Sequence, residues 1–212
     1  MTLNVGYAVS SLILIGAFVV ALLAQLRSKS FHPFLYWGVI LATSTAGTTM
    51  SDYMDRTLGL GYATGALILV AILASILALW AFTIGSLSVS NIRTFRVEIF
   101  YWTAILFSNT LGTALGDFLA DSSGLGFAGG ALLIASILAL IALAYSFMQI
   151  SRVLLFWIAF VLTRPFGATM GDVLTKTHEQ GGIGFGTVGA SLILASVLII
   201  LIFATRNRDQ SG

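Results

Sequence analysis

Residues 101–117 read YWTAILFSNTLGTALGD. The stretch opens like a membrane helix, with an aromatic pair followed by Ala104, Ile105, Leu106 and Phe107. From Ser108 it turns polar, and Asn109, Thr110, Thr113 and Asp117 are poor company for lipid. A charge facing lipid at depth costs at least ~2.5–3.5 kcal/mol, so such a face has to look into a bundle. The pattern recurs without a gap: residues 36–52 read YWGVILATSTAGTTMSD and residues 156–172 read FWIAFVLTRPFGATMGD. Each copy opens on an aromatic and a tryptophan (Trp37, Trp102, Trp157) and reaches a hydroxyl at Thr43, Ser108 or Thr163. Each then has a glycine at Gly47, Gly112 or Gly167 and an aspartate at Asp52, Asp117 or Asp172. Fixed spacing of this kind marks an internal repeat.

The rest of the composition agrees with a lipid solvent. Of 212 residues, 58% are hydrophobic and 8% charged, with a mean hydropathy of +1.01. A soluble domain cannot hide that much apolar side chain, whereas helices of about 20 apolar residues are the unit of a membrane bundle. Seven apolar runs are expected as spans, at about 4–25, 34–57, 61–84, 97–120, 125–147, 153–175 and 184–205. Spans three, five and seven form a second family, entered through Gly61–Tyr62, Gly126–Phe127 and Gly184–Phe185, and span one resembles a weaker copy of it. The expected fold is an all-α polytopic membrane protein of one transmembrane domain. It comprises three helical-hairpin repeats in parallel orientation, at about 34–84, 97–147 and 153–205, plus one extra N-terminal helix. Repeats of one orientation imply an axis along the membrane normal, unlike inverted repeats. A pseudo-threefold bundle would bring Asp52, Asp117 and Asp172 to one depth.

Charge sets the orientation. Arg27, Lys29, Arg93, Arg96, Arg152, Arg206 and Arg208 all fall on one face if the spans alternate, while Arg56 and Lys176 fall on the other with Asp55, Asp121 and Glu179. The positive-inside rule then puts the N-terminus outside and the C-terminus in the cytoplasm. The first apolar run has its positives after it, so it reads as a span and not a cleaved signal. The net charge of +2 is spread over loops, which leaves no electrostatic footprint for nucleic acid. The absence of cysteine excludes disulfides and thiolate metal sites.

Residues three and four apart share a helix face. Thr48, Ser51, Asp52 and Asp55 make one stripe, and Asn109, Thr113, Gly116, Asp117 and Asp121 another; the third is thinner, with Thr163, Gly167, Gly171 and Asp172. Each aspartate lies about 22 Å along the axis from its tryptophan, in the outer half of the membrane if the tryptophans mark the inner interface. Gly112 and Gly116, and Gly167 and Gly171, have the small-xxx-small spacing that lets helices approach, so they read as packing devices. The aromatics read as interfacial anchors. Arg164 lies about 12 Å inward of Asp172, where it either tunes the charge of the site or forms a structural ion pair, and Pro165 beside it invites a kink. Carboxylate, hydroxyl and amide oxygens suit hard cations such as Mn²⁺, Mg²⁺, Ca²⁺ or Na⁺, or protons. Without cysteine or intramembrane histidine, soft-metal and zinc chemistry is disfavoured. Met50, Met54 and Met170 could add a thioether that favours Mn²⁺, against the simpler reading of packing. His178 and Glu179 could gather cations in the outer loop, against the simpler reading of a solvated turn.

Span seven contains no lysine, so a retinal Schiff base is excluded. The segments ALGD and TMGD resemble part of the Gly-x-Gly-Asp signature of intramembrane aspartyl proteases, but lack its first glycine and a partner Tyr-Asp pair. The pair GTALGD…GLGFAGGALL and GATMGDVLTK…GGIGFG resembles the largely uncharacterised bacterial family of membrane-anchored proteins with repeated Gly-Asp transmembrane segments. The first copy departs from it at Ser51, where Gly116 and Gly171 stand. The resemblance implies a bacterial cytoplasmic membrane protein and fixes no ligand; a regulatory link to a polysaccharide-degrading enzyme, which family labels suggest, has no support in these residues. The expected function is a cation pathway, for a divalent metal such as Mn²⁺ ahead of other cations and open to proton coupling. Its expected metal-site residues are Asp52, Asp117, Asp172, Thr48, Ser51, Asp55, Asn109, Thr113 and Asp121, tuned by Arg164. No catalytic residue or resident cofactor is expected. The expected partners are lipid, the cation and a second copy of the chain. A non-transporting receptor or regulatory partner is the alternative from another class.

Overall fold

A computed structural model describes residues 6–28, 32–89, 92 and 94–209, with the side chains of Pro33 and of residues beyond 197 excepted. Lys29 and Arg93, and the side chains of Arg206 and Arg208, lie outside the described residues. The helices fall where the apolar runs fall: α1 (Gly6–Arg27), α2 (Pro33–Asp52), α3 (Tyr62–Ile84), α4 (Phe95–Asp117), α5 (Gly126–Phe147), α6 (Arg152–Thr175) and α7 (Gly186–Asp209). No strand occurs among the described residues. By length and composition α1, α3, α5 and α6 could each cross a membrane. The polar stripes of α2 and α4 dilute their apolar content below that level.

Local chemistry sets the boundaries. The Thr94 hydroxyl accepts from the Val97 N–H at the start of α4, and the Ser151 hydroxyl accepts from Leu154 at the start of α6. α2 and α4 both end in a π-helical turn, Tyr53–Thr57 and Phe118–Ser122, closed by Leu58 N–H to Tyr53 O and Ser123 N–H to Phe118 O at 2.9 Å each. The chain then passes through Gly61 or Gly126 at φ +72° or +65°, a left-handed conformation that only glycine takes at no steric cost. α6 ends differently: residues 183–185 fold back and donate to the carbonyls of Val173, Lys176 and Leu174, capping the helix without a π turn.

The polar helices form a row with α4 in the middle, packed on α2 at one side and α6 at the other. Pairing of the remaining helices differs from a set of simple hairpins. α1 lies along α2, α3 along α4 and α5 along α6, so each polar helix is covered by the apolar helix that precedes it. α3 and α5 meet the polar helix of their own repeat chiefly at its π turn. Span one is thus a structural fourth copy: it covers α2 as α3 covers α4.

The aromatic anchors need correcting. Trp37 is 65% exposed, but Trp102 and Trp157 are 1% and 3% exposed and belong to the core. Trp157 stacks edge-on to Trp80 at 5.6 Å and donates to Leu87 O at 3.1 Å. Trp102 packs against Tyr36 of α2 and Trp157 against Trp80 of α3, so the repeated tryptophan meets protein in two copies and the outside in one. Elsewhere the surface is apolar, with Leu12, Phe82, Leu132, Phe147 and Val188 all exposed.

Candidate functional site

The face shared by α2 and α4 is a polar seam built from repeat-equivalent positions. At one end the Asn109 amide donates to Thr43 Oγ1 at 3.2 Å, with both residues buried. Next, Gly47 lets the helices close: a Cβ there would lie 2.9 Å from Asn109 Cβ. Then Thr48 and Thr113 face each other with hydroxyl oxygens 3.4 Å apart, each also bonded to its own helix backbone. Interhelical side-chain bonds average about 0.6 kcal/mol in membranes, so close glycine packing holds this seam more than its hydrogen bonds do.

At the other end Arg56 Nε lies 3.3 Å from Asp52 Oδ1, and its Nη2 lies 4.0 Å from Asp117 Oδ2. The same guanidinium donates from Nη1 to the Tyr7 hydroxyl of α1 at 3.4 Å. Asp117 is the hub, within electrostatic reach of Asp52, Arg56, Asp121 and Asp172. Sequence reasoning placed Arg56 on the outer face as an orientation marker and missed it as the partner of two aspartates. The signal was present in the i, i+4 spacing from Asp52 to Arg56.

The structure does not gather the whole expected set. Asp55, on the π turn, faces the start of α3, where it is 6% exposed and packs against Gly65. Its Oδ2 accepts from the buried Ser51 hydroxyl at 3.2 Å, while its Oδ1 has no partner. Ser51 and Asp55 therefore form a pair turned away from the seam. Asp121 is exposed, and Asp172 is half-buried on α6 with Lys176 four residues on. Among the described residues no three acidic or histidine side chains stand close enough to share a metal ion. Met54 packs on the core cluster centred on α3 and α4, and Met50 on that of α1, α2 and α4, so both thioethers are packing. His178 and Glu179 are exposed in a 3₁₀ turn at residues 178–180.

Arg164 also departs from expectation. It makes no ion pair among the described residues; its Nη1 donates to Ser44 Oγ on α2 at 2.9 Å. α6 runs unbroken through Pro165, which is buried against α4. Gly112 meets Arg164 and Pro165, and a Cβ on Gly116 would lie 3.2 Å from Ala168 Cβ, which makes these glycines the packing devices expected. A Cβ on Gly167 or Gly171 would meet no other helix within 4 Å, so the same reading fails for them. Repeat symmetry explains the difference. Gly47 closes on Asn109 and Gly112 closes on Arg164, the equivalent position one repeat on. Gly167 would close on Ser44 if the ring were complete. α2 and α6 do not pack broadly, and the Arg164–Ser44 bond spans the open side.

Comparison with known proteins gives one match. A family described as a repeat of unknown function, DUF347, matches residues 35–85, 100–151 and 155–209. These are the three repeats read from the sequence, to within a few residues. No curated protein and no solved structure matches the chain.

Proposed function

The chain belongs to the DUF347 repeat family, and from the polar seam its repeats build we propose that it is a multi-pass protein of the bacterial cytoplasmic membrane that carries a cation. The observation that supports this is the guanidinium of Arg56 seated beside Asp52 and Asp117. Two carboxylates on neighbouring helices already accept a cationic group there, tethered by its own side chain. With Arg56 in place the cluster keeps one net negative charge. With Arg56 swung out the pair offers two, which suits a divalent ion such as Mn²⁺ held by oxygen ligands. Thr48 and Thr113 lie one turn inward and extend the oxygen path along the seam. Asp172 and Asp121 add negative charge around Asp117 that draws cations toward the mouth.

Exposed apolar side chains on every outer face support the membrane assignment, since a water-soluble monomer rarely shows large contiguous apolar patches. The positive-inside rule supports an outside N-terminus. An aspartyl protease needs two carboxylates that share a proton, and a guanidinium between Asp52 and Asp117 favours carriage over that chemistry. The test is flux into liposomes containing the purified chain, against Mn²⁺, Mg²⁺, Ca²⁺, Na⁺ and a proton gradient. One ion should move, and Asp117→Asn should abolish its movement. If no ion moves with a folded protein, the proposal is wrong and the seam is architecture.

A further inference from the structure

Ser44, Asn109 and Arg164 hold one position in the three repeats, seven residues after the repeated tryptophan. The Asn109 amide is bonded to Thr43 between α2 and α4, whereas Arg164 reaches across the open side of the row, its Nη1 donating to Ser44 Oγ at 2.9 Å. That is the one hydrogen bond of the guanidinium among the described residues. It leaves the Nε–Nη2 edge without an acceptor, and the hydroxyl hydrogen of Ser44 has none either among the described residues. The gap that these donors share is open. Thr45 and Thr48 of α2 and Gly167 of α6 are exposed, Ser44 and Arg164 are only partly buried, and a Cβ on Gly167 would meet nothing within 4 Å.

A guanidinium in the middle of a membrane span is costly unless an acid or a backbone carbonyl answers its charge. Arg164 stands midway along α6 and has neither among the described residues. The sequence shows that the chain cannot supply the acid. Six of its eight acidic residues gather at the end that holds Asp52 and Asp117, and Glu98 and Asp209 stand at the opposite ends of α4 and α7. Asp52, Asp117 and Asp172 are each eight residues on from this position, ~12 Å along the axis. A second copy carries the same set, so it brings no acid to this depth either. The counter-ion comes from outside the chain, and the free edge sets its class. Two parallel N–H groups match the two oxygens of a carboxylate, with the Ser44 hydroxyl as a further donor. A cation would be repelled, a spherical halide would not fill both N–H groups, and a dianion would bring a second charge with no partner. We propose that Arg164 and Ser44 bind a small monovalent carboxylate in the gap between α2 and α6, its oxygens on the Nε–Nη2 edge and its alkyl end beside Gly167. The proposal rests on the membrane reading and stands whether or not the seam carries a cation.

The test is isothermal titration of the purified chain in a non-ionic detergent with sodium acetate, with acetamide as the neutral counterpart and sodium chloride as the spherical one. Acetate should bind saturably, chloride more weakly and acetamide not at all. Arg164→Gln keeps the stem against Gly112 and a donor for Ser44 but removes the charge, and should abolish binding. Ser44→Ala removes one donor and should weaken binding about tenfold, the scale of a hydrogen bond to a charged group; it gives the reading if Arg164→Gln does not fold. Asp117→Asn should bind acetate no more weakly than the unaltered chain, even where it abolishes ion flux, so the two proposals fail separately. Absence of saturable acetate binding, acetamide or chloride binding as tightly as acetate, or unchanged affinity in a folded Arg164→Gln or Ser44→Ala variant would overturn the assignment.

Discussion

Arg56 carries most of the residue-scale argument. It occupies the position held by Asp121 in the second repeat and Lys176 in the third, so the repeats share their aspartate and differ in the charge one turn later. Asp117, followed by another acid, takes its counter-ion from the neighbouring repeat. Arg56 is about half exposed, and exposed ion pairs contribute less than about 1 kcal/mol, so the contact is a weak staple. If it is a resident competitor for an incoming cation, Arg56→Gln should raise Mn²⁺ affinity in a calorimetric titration while the melting temperature barely moves. Unchanged or weaker Mn²⁺ binding would reduce Arg56 to a bridge between α2 and α4. The aspartates themselves were legible in the sequence, because spacing and polarity mark them three times over. Their sorting was not: a π turn rotates Asp55 toward α3, and no feature of Ser51–Asp55 announces that rotation.

At the scale of elements, the glycines show what periodicity can and cannot say. The pattern reads the same at Gly112 and Gly167, yet a Cβ on Gly112 would run into Arg164 and Pro165 while one on Gly167 would meet nothing within 4 Å. Gly112→Ala should destabilise by about 1–3 kcal/mol, because a methyl group has to displace a packed helix. Gly167→Ala should be neutral or stabilising by about 0.5–1 kcal/mol, since it only removes a flexible residue from a helix interior. Thermal unfolding of both variants in detergent separates the cases. A comparable loss in Gly167→Ala would mean that α6 meets a partner on that face. The tryptophans teach the same lesson. One repeated residue is exposed at Trp37 and buried at Trp102 and Trp157, according to which neighbouring helix packs against it.

For the whole molecule, orientation is the property most open to direct test, and the absence of cysteine gives a clean background for it. Cysteine placed at the exposed Glu179 should react with an impermeant maleimide on intact cells, and cysteine at the exposed Gln149 only after lysis. The reverse pattern would invert the topology, and labelling of both in intact cells would end the membrane reading. The sequence by itself determined the helical class, the positions of the helices, the three repeats and the aspartates, because hydropathy and spacing are local properties that every copy writes in the same letters. Only the tertiary structure decided that each polar helix is covered by its predecessor, that the ring of polar helices stays open between α2 and α6, and that Arg56 joins Asp52 to Asp117. Those outcomes depend on which copy stands in the middle of the row. Equivalent positions in a repeat share a sequence but not their neighbours.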